Sequence, residues 1–124
     1  MPEKKYHILY VDDEADNLLA FRSVFRRYFN IHTAINGQEA IQLLKEKPFH
    51  LLLSDQRMPN MTGIELCENV MQNYPKMVRM IITGYSEMKP INEAIEKGKI
   101  SKYITKPWNI HELKSEIENA LTGV

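Results

Sequence analysis

Five short apolar runs alternate with five amphipathic patterns along this chain, and this alternation restricts its fold more than any other feature. The runs predicted to form strands are Tyr6–Val11, Ile31–Ile35, His50–Leu53, Met77–Ile82 and Lys102–Ile104. Three of these runs are nearly continuously apolar, which is typical of central parallel strands that are covered on both faces. A strand–helix unit repeated five times predicts an α/β fold with a parallel sheet and right-handed crossovers.

Apolar residues between and after these runs recur at the spacing of one helix face. The longest stripes are Leu18, Phe21, Phe25 and Tyr28 in the first predicted helix, and Ile110, Leu113, Ile117 and Leu121 in the last. Asn36–Gly37 and Gly98 fall between elements, where a positive φ is often needed. We find no linker, repeat or low-complexity stretch, and the residues after Trp108 suffice for one final helix. We therefore expect a single domain over residues 1–124.

Composition narrows the class of protein further. The chain has 124 residues, of which 44% are hydrophobic, as expected of one globular domain with one core. Sixteen basic residues balance sixteen acidic ones, so no net field favours nucleic acid or a membrane surface as a partner. The single cysteine, Cys67, cannot form an internal disulfide, and no apolar segment approaches the ~18 residues of a membrane span. We expect a soluble, cytoplasmic protein.

Polar residues that suit phosphoryl chemistry follow four of the predicted strands. Asp12 and Asp13 follow the first strand, Asp55 the third, Thr83 the fourth and Lys106 the fifth. Each of them alone is more often a turn, cap or surface residue than a functional one. In an open α/β sheet, however, ligands bind beyond the carboxyl ends of the strands, where these side chains can converge. Three carboxylates beside one ammonium suit a divalent cation and a phosphoryl group.

Four motifs at these positions carry a resemblance to a known family. They are YVDDE at Tyr10–Glu14, SDQRMPNMTG at Ser54–Gly63, IITGY at Ile81–Tyr85 and YITKPW at Tyr103–Trp108. In these motifs and their order the chain resembles a receiver domain of two-component response regulators, similar to CheY. The resemblance covers nearly the whole chain. It implies a doubly wound (βα)₅ fold with a five-stranded parallel sheet of the flavodoxin-like order 2-1-3-4-5.

The resemblance also assigns roles to residues. It implies that Asp55 accepts the phosphoryl group and that Lys106 and Thr83 contact that group. Tyr103 would be the aromatic switch residue that responds to Thr83. The Lys106–Pro107 peptide bond would be cis, as is common in receivers.

The acidic residues have the chemistry of a magnesium site. The resemblance makes Asp12 and Asp13 the acidic pair that holds Mg²⁺, an ion that prefers oxygen ligands and keeps several waters. Asp13 and Asp55 can bind such an ion directly, Asp12 can act through water, and the backbone carbonyl of Arg57 can add another oxygen. Arg57 and Tyr85 occupy positions that vary in the family and influence the lifetime of the phosphoryl group.

Together these features predict a Mg²⁺-dependent receiver domain that takes a phosphoryl group from a histidine kinase or a phosphotransfer protein. It would then present a changed surface, formed by the fourth helix, the fifth strand and the fifth helix, to an effector protein or output domain. A homodimer through the same surface is possible on this interpretation. We expect no turnover of an external substrate, although the domain would catalyse its own phosphorylation and hydrolysis. The alternative is a receiver-fold interaction module that is never phosphorylated.

Overall fold

A computed structural model describes residues 4–84 and 88–123 of the chain. Five strands and five helices alternate in it: β1 His7–Val11, α1 Ala15–Phe25, β2 Asn30–Ala34, α2 Gly37–Glu46, β3 Leu51–Asp55, α3 Gly63–Asn73, β4 Val78–Thr83, α4 Met88–Glu96, β5 Lys102–Thr105 and α5 Ile110–Thr122. Each predicted strand is present, with bounds shifted by one or two residues. Tyr85 lies outside the described residues.

All five strands form one parallel sheet in the order β2-β1-β3-β4-β5, which confirms the predicted order. Its central strand, β3, is buried at every position, as its nearly continuous apolar sequence predicts. The register pairs Val11 with Ser54 and Thr83 with Thr105, so the carboxyl ends of neighbouring strands lie side by side.

Two hydrophobic clusters cover the two faces of the sheet. On one face, alternate strand residues such as Leu9, Leu52 and Ile81 pack against α2, α3 and α4. On the other, Ile8, Tyr10, Leu51, Leu53, Met80 and Ile82 pack against α1 and α5. Because successive strand residues point to opposite faces, each nearly continuous apolar run supplies both clusters.

Side-chain caps start three of the helices. Asn36, Thr62 and Asn109 accept hydrogen bonds from the backbone N–H groups three residues later, at the starts of α2, α3 and α5. At α3 the Glu65 side chain also accepts from the backbone N–H of Thr62, which completes a capping box. These bonds satisfy N–H groups that have no partner within the helix.

The structure confirms one of the two predicted loop signals and corrects the other. Gly98 has φ +73°, so the expectation of a positive φ is confirmed there. At Asn36–Gly37 it is wrong, because Asn36 is an extended helix cap with φ −160° and Gly37 begins α2. Gly37 is in close contact instead, since a Cβ there would clash with the Met61 side chain, which would have to move.

The predicted apolar stripes also extend beyond what the fold buries. Helix α1 ends at Phe25, so Tyr28 lies in the following turn and is 40% exposed, whereas the adjacent Phe29 is buried. Ile110, the first residue of the last stripe, is 43% exposed. Across the described ranges no helix has the length and apolar character required to span a bilayer.

Candidate functional site

The fold brings the polar residues that follow β1, β3, β4 and β5 to one edge of the sheet. These strands are consecutive in the sheet, so residues far apart in sequence become neighbours there. Asp55 is the last residue of β3 and Thr83 the last of β4, while Asp12 and Lys106 directly follow β1 and β5. The backbone continues this alignment, because the N–H of Lys106 donates to the carbonyl of Thr83 at 2.9 Å.

Three carboxylates converge at this edge. One oxygen from each of Asp12, Asp13 and Asp55 lies within 4.8 Å of the other two. Asp12 and Asp55 are buried, whereas Asp13 is exposed. At such a separation each pair of charges repels by roughly 3 kcal/mol at an effective dielectric of about 20. Hard oxygen ligands with a surplus of negative charge fit a divalent cation such as Mg²⁺.

Asp12 is fully buried and accepts hydrogen bonds at both oxygens. Its Oδ2 accepts from the Tyr10 hydroxyl at 2.9 Å and from Asn17 Nδ2 at 3.1 Å, and its Oδ1 accepts from the backbone N–H of Glu14 at 3.0 Å. Burial, together with the charge of Asp12, raises the pKa of Tyr10 well above its usual value. The phenol therefore stays protonated and acts as the hydrogen-bond donor to Asp12. Our sequence interpretation missed Tyr10 and Asn17. The two-residue period of a strand offered a signal for Tyr10, because it places Tyr10 and Asp12 on the same face.

Asp55 forms an ion pair with Lys106. The ammonium Nζ lies 3.0 Å from Asp55 Oδ1. Burial raises the pKa of Asp55 above its usual value, and the hydrogen bond and charge of Lys106 only partly oppose this rise. Burial lowers the pKa of Lys106, but the bond to Asp55 and the charges of Asp55, Asp12 and Glu14 outweigh burial, so that pKa is raised. Lys106 therefore stays charged beside the carboxylate.

Thr83 and Tyr103 lie on the neighbouring strands β4 and β5. Thr83 is the last residue of β4, whereas Tyr103 is the second residue of β5 and pairs with Ile81. The Thr83 hydroxyl donates to the backbone carbonyl of Gly84 at 3.0 Å rather than to Asp55. Tyr103 is half-buried and packs against the cluster that contains α4, together with Met88. Gly84 leaves open space among the described residues, since a Cβ there would meet none of their atoms within 4 Å. An entering group would therefore find room beside Thr83.

The loop after β3 is fastened to the start of α3. The Gln56 side chain accepts from the backbone N–H of Ile64 at 2.9 Å, and the N–H of Gly63 donates to the Gln56 carbonyl at 3.1 Å. A Cβ at Gly63 would lie 2.5 Å from the Asp55 carbonyl, so only glycine lets α3 approach this closely. The exposed Arg57 lies in this loop. These contacts hold the backbone that carries Asp55.

After β5, the Lys106–Pro107 peptide bond is cis, the isomer that the resemblance implies. Trp108 follows and packs against the face that contains α1, with its ring centroid 5.6 Å from that of Phe25. An open cavity of about 490 Å³ lies beside Lys106 and is lined by Tyr10, Asn17, Ala20, Pro107 and Trp108. This cavity adjoins the site, but Asp12, Asp13 and Asp55 are not among the residues that line it.

Comparisons with known proteins show the family and the fold of the chain. The family model of the response regulator receiver domain matches residues 8–118. The hydrogenase transcriptional regulatory protein HoxA of Cupriavidus necator is 34% identical over 121 residues, which are 98% of this chain and 25% of that protein. HoxA of Bradyrhizobium diazoefficiens is 39% identical over 114 residues, or 92% of this chain and 24% of that protein. The chain thus spans about a quarter of the length of the curated relatives it matches.

A solved structure gives the same result for the fold. The signal receiver domain of an HD domain-containing protein from Pseudomonas fluorescens Pf-5 superposes with a TM-score of 0.90 at 31% identity, covering 96% of each chain. The family match, the identity to the relatives and this likeness all concern the same residues. The chain belongs to the receiver domains of response regulators, a family whose general role is to be phosphorylated on an aspartate.

Proposed function

We propose that Asp55 is the aspartate that accepts the phosphoryl group, in a reaction that depends on Mg²⁺. The observation that carries this proposal is the convergence of the three carboxylates within 4.8 Å, with Lys106 Nζ 3.0 Å from Asp55 Oδ1. Asp12 is fully buried and holds three hydrogen bonds, whereas Asp55 is 7% exposed and has Lys106 beside it. Asp55 therefore combines a reachable oxygen with a positioned cation.

The transfer is a displacement at phosphorus. An Asp55 carboxylate oxygen forms the new bond to phosphorus, while the bond from phosphorus to the donor breaks and the donor keeps that electron pair. With a phosphohistidine donor, the leaving group is an imidazole. The ammonium of Lys106 then pairs with the phosphoryl oxygens, which carry the negative charge. The product is an acyl phosphate on Asp55.

Asp13 and Asp55 would hold the magnesium ion directly, with Asp12 acting through water and the backbone carbonyl of Arg57 adding an oxygen. When bound, Mg²⁺ neutralises charge on the phosphoryl oxygens and orients the group for in-line attack. The donor set fits this ion because it consists of oxygens and carries excess negative charge. The chain's own residues supply the nucleophile and the second cation.

The output of this reaction is a change at the surface formed by α4, β5 and α5. The phosphoryl group on Asp55 would accept a hydrogen bond from Thr83, whose hydroxyl must first leave the Gly84 carbonyl. Space released by Thr83 would let Tyr103 populate an inward rotamer more often. Exposed Ile95 and Ile110 belong to this surface and are available to a partner. The partners proposed are a histidine kinase or phosphotransfer protein as donor and an effector, an output domain or a second copy as recipient.

Mass spectrometry after treatment with acetyl phosphate and Mg²⁺ tests the acceptor. We expect a labile adduct of about 80 Da on Asp55, the mass of one phosphoryl group in an acyl phosphate. Asp55→Asn should remove the adduct, as should Asp55→Glu, because one methylene moves the attacking oxygen out of line. The exposed Asp16 supplies a matched control, since Asp16→Asn should leave the adduct in place. An adduct that persists in Asp55→Asn would assign the acceptor role elsewhere.

NMR of fluorine-labelled tyrosine tests the switch. Beryllofluoride with Mg²⁺ should move the Tyr103 signal and leave that of Tyr6, beside His50 at the amino end of the sheet, unchanged. Thr83→Ala should suppress the movement, because the hydrogen bond that draws Thr83 towards the acceptor is gone. If Asp55 is fully occupied and Tyr103 does not respond, the coupling is wrong. A protein that takes up neither beryllofluoride nor phosphate would instead be the unphosphorylated interaction module.

A further inference from the structure

We propose that Tyr10 is a positioning residue for the magnesium site, which it serves by holding the carboxylate of Asp12 through its hydroxyl. This inference rests on the proposed function of the acidic cluster. Tyr10 itself is not a ligand in this arrangement. Its hydroxyl touches Asp12, and Asp12 in turn faces Asp13 and Asp55.

The hydrogen bond is buried on both sides. Tyr10 is 1% exposed and Asp12 is 0% exposed, and their oxygens are 2.9 Å apart. A hydrogen bond to a charged group in such surroundings is stronger than one between neutral groups and leaves little freedom of orientation. The partly exposed Asn17 donates to the same oxygen at 3.1 Å. Two donors on Oδ2 and the Glu14 N–H on Oδ1 therefore fix the carboxylate from both of its ends.

The ring of Tyr10 is held as firmly as its hydroxyl. It stacks on Phe21 of α1 with centroids 4.1 Å apart and an interplanar angle of 17°. Phe21 packs in turn against Phe25 and Trp108. The phenol is thus immobilised by the core that α1 shares with the sheet. The Tyr10 ring thereby links the position of α1 to Asp12, in addition to the direct hydrogen bond from Asn17 of α1.

A purely apolar residue would fill this core position equally well but would not orient Asp12. Partners of metal-binding carboxylates fix the ligand in its binding geometry, and their removal commonly costs 10–100-fold in metal affinity. For Tyr10→Phe we expect the dissociation constant for Mg²⁺ to rise about tenfold, at the lower end of that range, because Asn17 and the Glu14 N–H remain. Asn17→Leu should weaken binding as well, and the double variant more than either single one.

Isothermal titration with MgCl₂ on the purified chain tests this inference, with urea unfolding in EDTA as the measure of stability. Tyr74→Phe is the matched control, because it also removes a phenol that donates a hydrogen bond, at 3.2 Å to the Leu44 carbonyl on another part of the molecule. Tyr74→Phe should lower stability and leave the Mg²⁺ dissociation constant unchanged. Tyr6→Phe, in a residue without a hydroxyl bond to Asp12, should change neither.

The outcomes separate this inference from the function on which it rests. A parent protein that binds no Mg²⁺ would defeat the proposed metal site itself. If the parent binds Mg²⁺ and Tyr10→Phe binds it equally well or more tightly, Tyr10 is a packing residue and the inference fails. If Tyr10→Phe does not fold, Asn17→Leu provides the test, because Asn17 is partly exposed and donates to the same Asp12 oxygen. An unchanged Mg²⁺ dissociation constant in Asn17→Leu would then show that hydrogen bonds to Asp12 do not position the magnesium site, and the inference would fail. A tenfold loss in Tyr10→Phe, absent in Tyr74→Phe, supports the positioning role.

Discussion

At the carboxyl end of the sheet three carboxylates face one ammonium, whereas at its amino end one guanidinium is surrounded by backbone carbonyls. Arg79, near the start of β4, is 8% exposed. Its Nε donates to the Lys99 carbonyl at 2.8 Å, and its Nη2 to that of Gly98 at 3.1 Å. Its Nη1 donates to the carbonyls of Met77 at 2.9 Å and Pro75 at 3.3 Å. This single side chain joins the loop before β4 to the loop before β5.

Histidines near the same end contact one another and the backbone of the same chain. The His50 ring accepts from the backbone N–H of His7 at 3.0 Å, and His7 stacks on both His50 and His32 with centroids about 6 Å apart. Burial raises the pKa of Asp55 at one end and lowers that of His32 at the other, so both groups resist their charged forms. The two ends of the sheet differ in how their charged groups are stabilised. At the amino end, backbone carbonyls of the same chain accept hydrogen bonds from the buried charge, whereas at the carboxyl end the carboxylates keep an excess of negative charge.

This difference separates stability from function within one sheet. Groups that are fully satisfied by their own chain gain nothing from a ligand, so the amino end serves the fold. A cluster of like charges is costly until a cation arrives, so the carboxyl end is arranged for binding. Substitutions at the two ends should therefore have different consequences, and three experiments compare them.

The largest effect on stability is expected from Arg79→Met. It leaves four backbone carbonyls without their donor, and unsatisfied buried groups cost about 1–3 kcal/mol each before relaxation and water entry. We expect a loss of about 3 kcal/mol in the free energy of unfolding, measured by urea denaturation. Arg26→Met, at an exposed position, should change it by less than about 0.5 kcal/mol.

The same variant tests whether the amino end of the sheet affects stability without affecting Mg²⁺ binding. Arg79→Met should retain the magnesium dissociation constant of the parent, because no Arg79 contact reaches the acidic cluster. A large loss of Mg²⁺ affinity in folded Arg79→Met would show that the two ends are coupled, and the comparison would then break down.

Magnesium itself should stabilise the protein, with a somewhat smaller effect. An ion that binds only the folded state contributes about 2.7 kcal/mol at one hundred times its dissociation constant. Asp13→Asn should stabilise the metal-free protein by relieving repulsion, and should reduce the rise in melting temperature that Mg²⁺ causes. Scanning calorimetry with and without MgCl₂ measures both effects.

Glu46→Gln is the control for Asp13→Asn. It removes one negative charge at the end of α2, in an exposed residue outside the acidic cluster. It should leave the Mg²⁺ response intact. A metal-free Asp13→Asn protein that is less stable than the parent would show that repulsion does not dominate the cluster.

The smallest effect is a pH dependence at the amino end. Burial lowers the pKa of His32 below 6.5, assisted by the charges of Lys47, His7 and Arg22. The unfolded chain therefore takes up a proton at a higher pH than the native protein, so this histidine reduces stability as the pH falls from 6.5 towards the native pKa. Urea midpoints at about pH 7.5 and about pH 5 should differ less in His32→Gln than in the parent.

His111 provides the comparison for this experiment, because it is exposed on α5. His111→Gln should keep the pH dependence of the parent. If His32→Gln also keeps it, the acid sensitivity arises elsewhere in the molecule.

Much of the site was predictable because its residues follow strands. Asp12, Asp13, Asp55, Thr83 and Lys106 each lie at a strand end that apolar periodicity located, and parallel strands bring such ends together. Periodicity was less reliable at element ends. Tyr28 continues the α1 stripe in sequence, but the helix stops at Phe25 and leaves Tyr28 in a turn.

The sequence by itself determined the order of strands and helices, the two apolar faces of each strand, and the set of oxygen and ammonium groups at one edge. These features depend on local periodicity and on chain direction. Only the tertiary structure decided that Tyr10 rather than another tyrosine would donate to Asp12, and that Arg79 would find its acceptors in two separate loops. Such hydrogen bonds depend on the distances between elements once the sheet has assembled, and no short-range pattern encodes those distances.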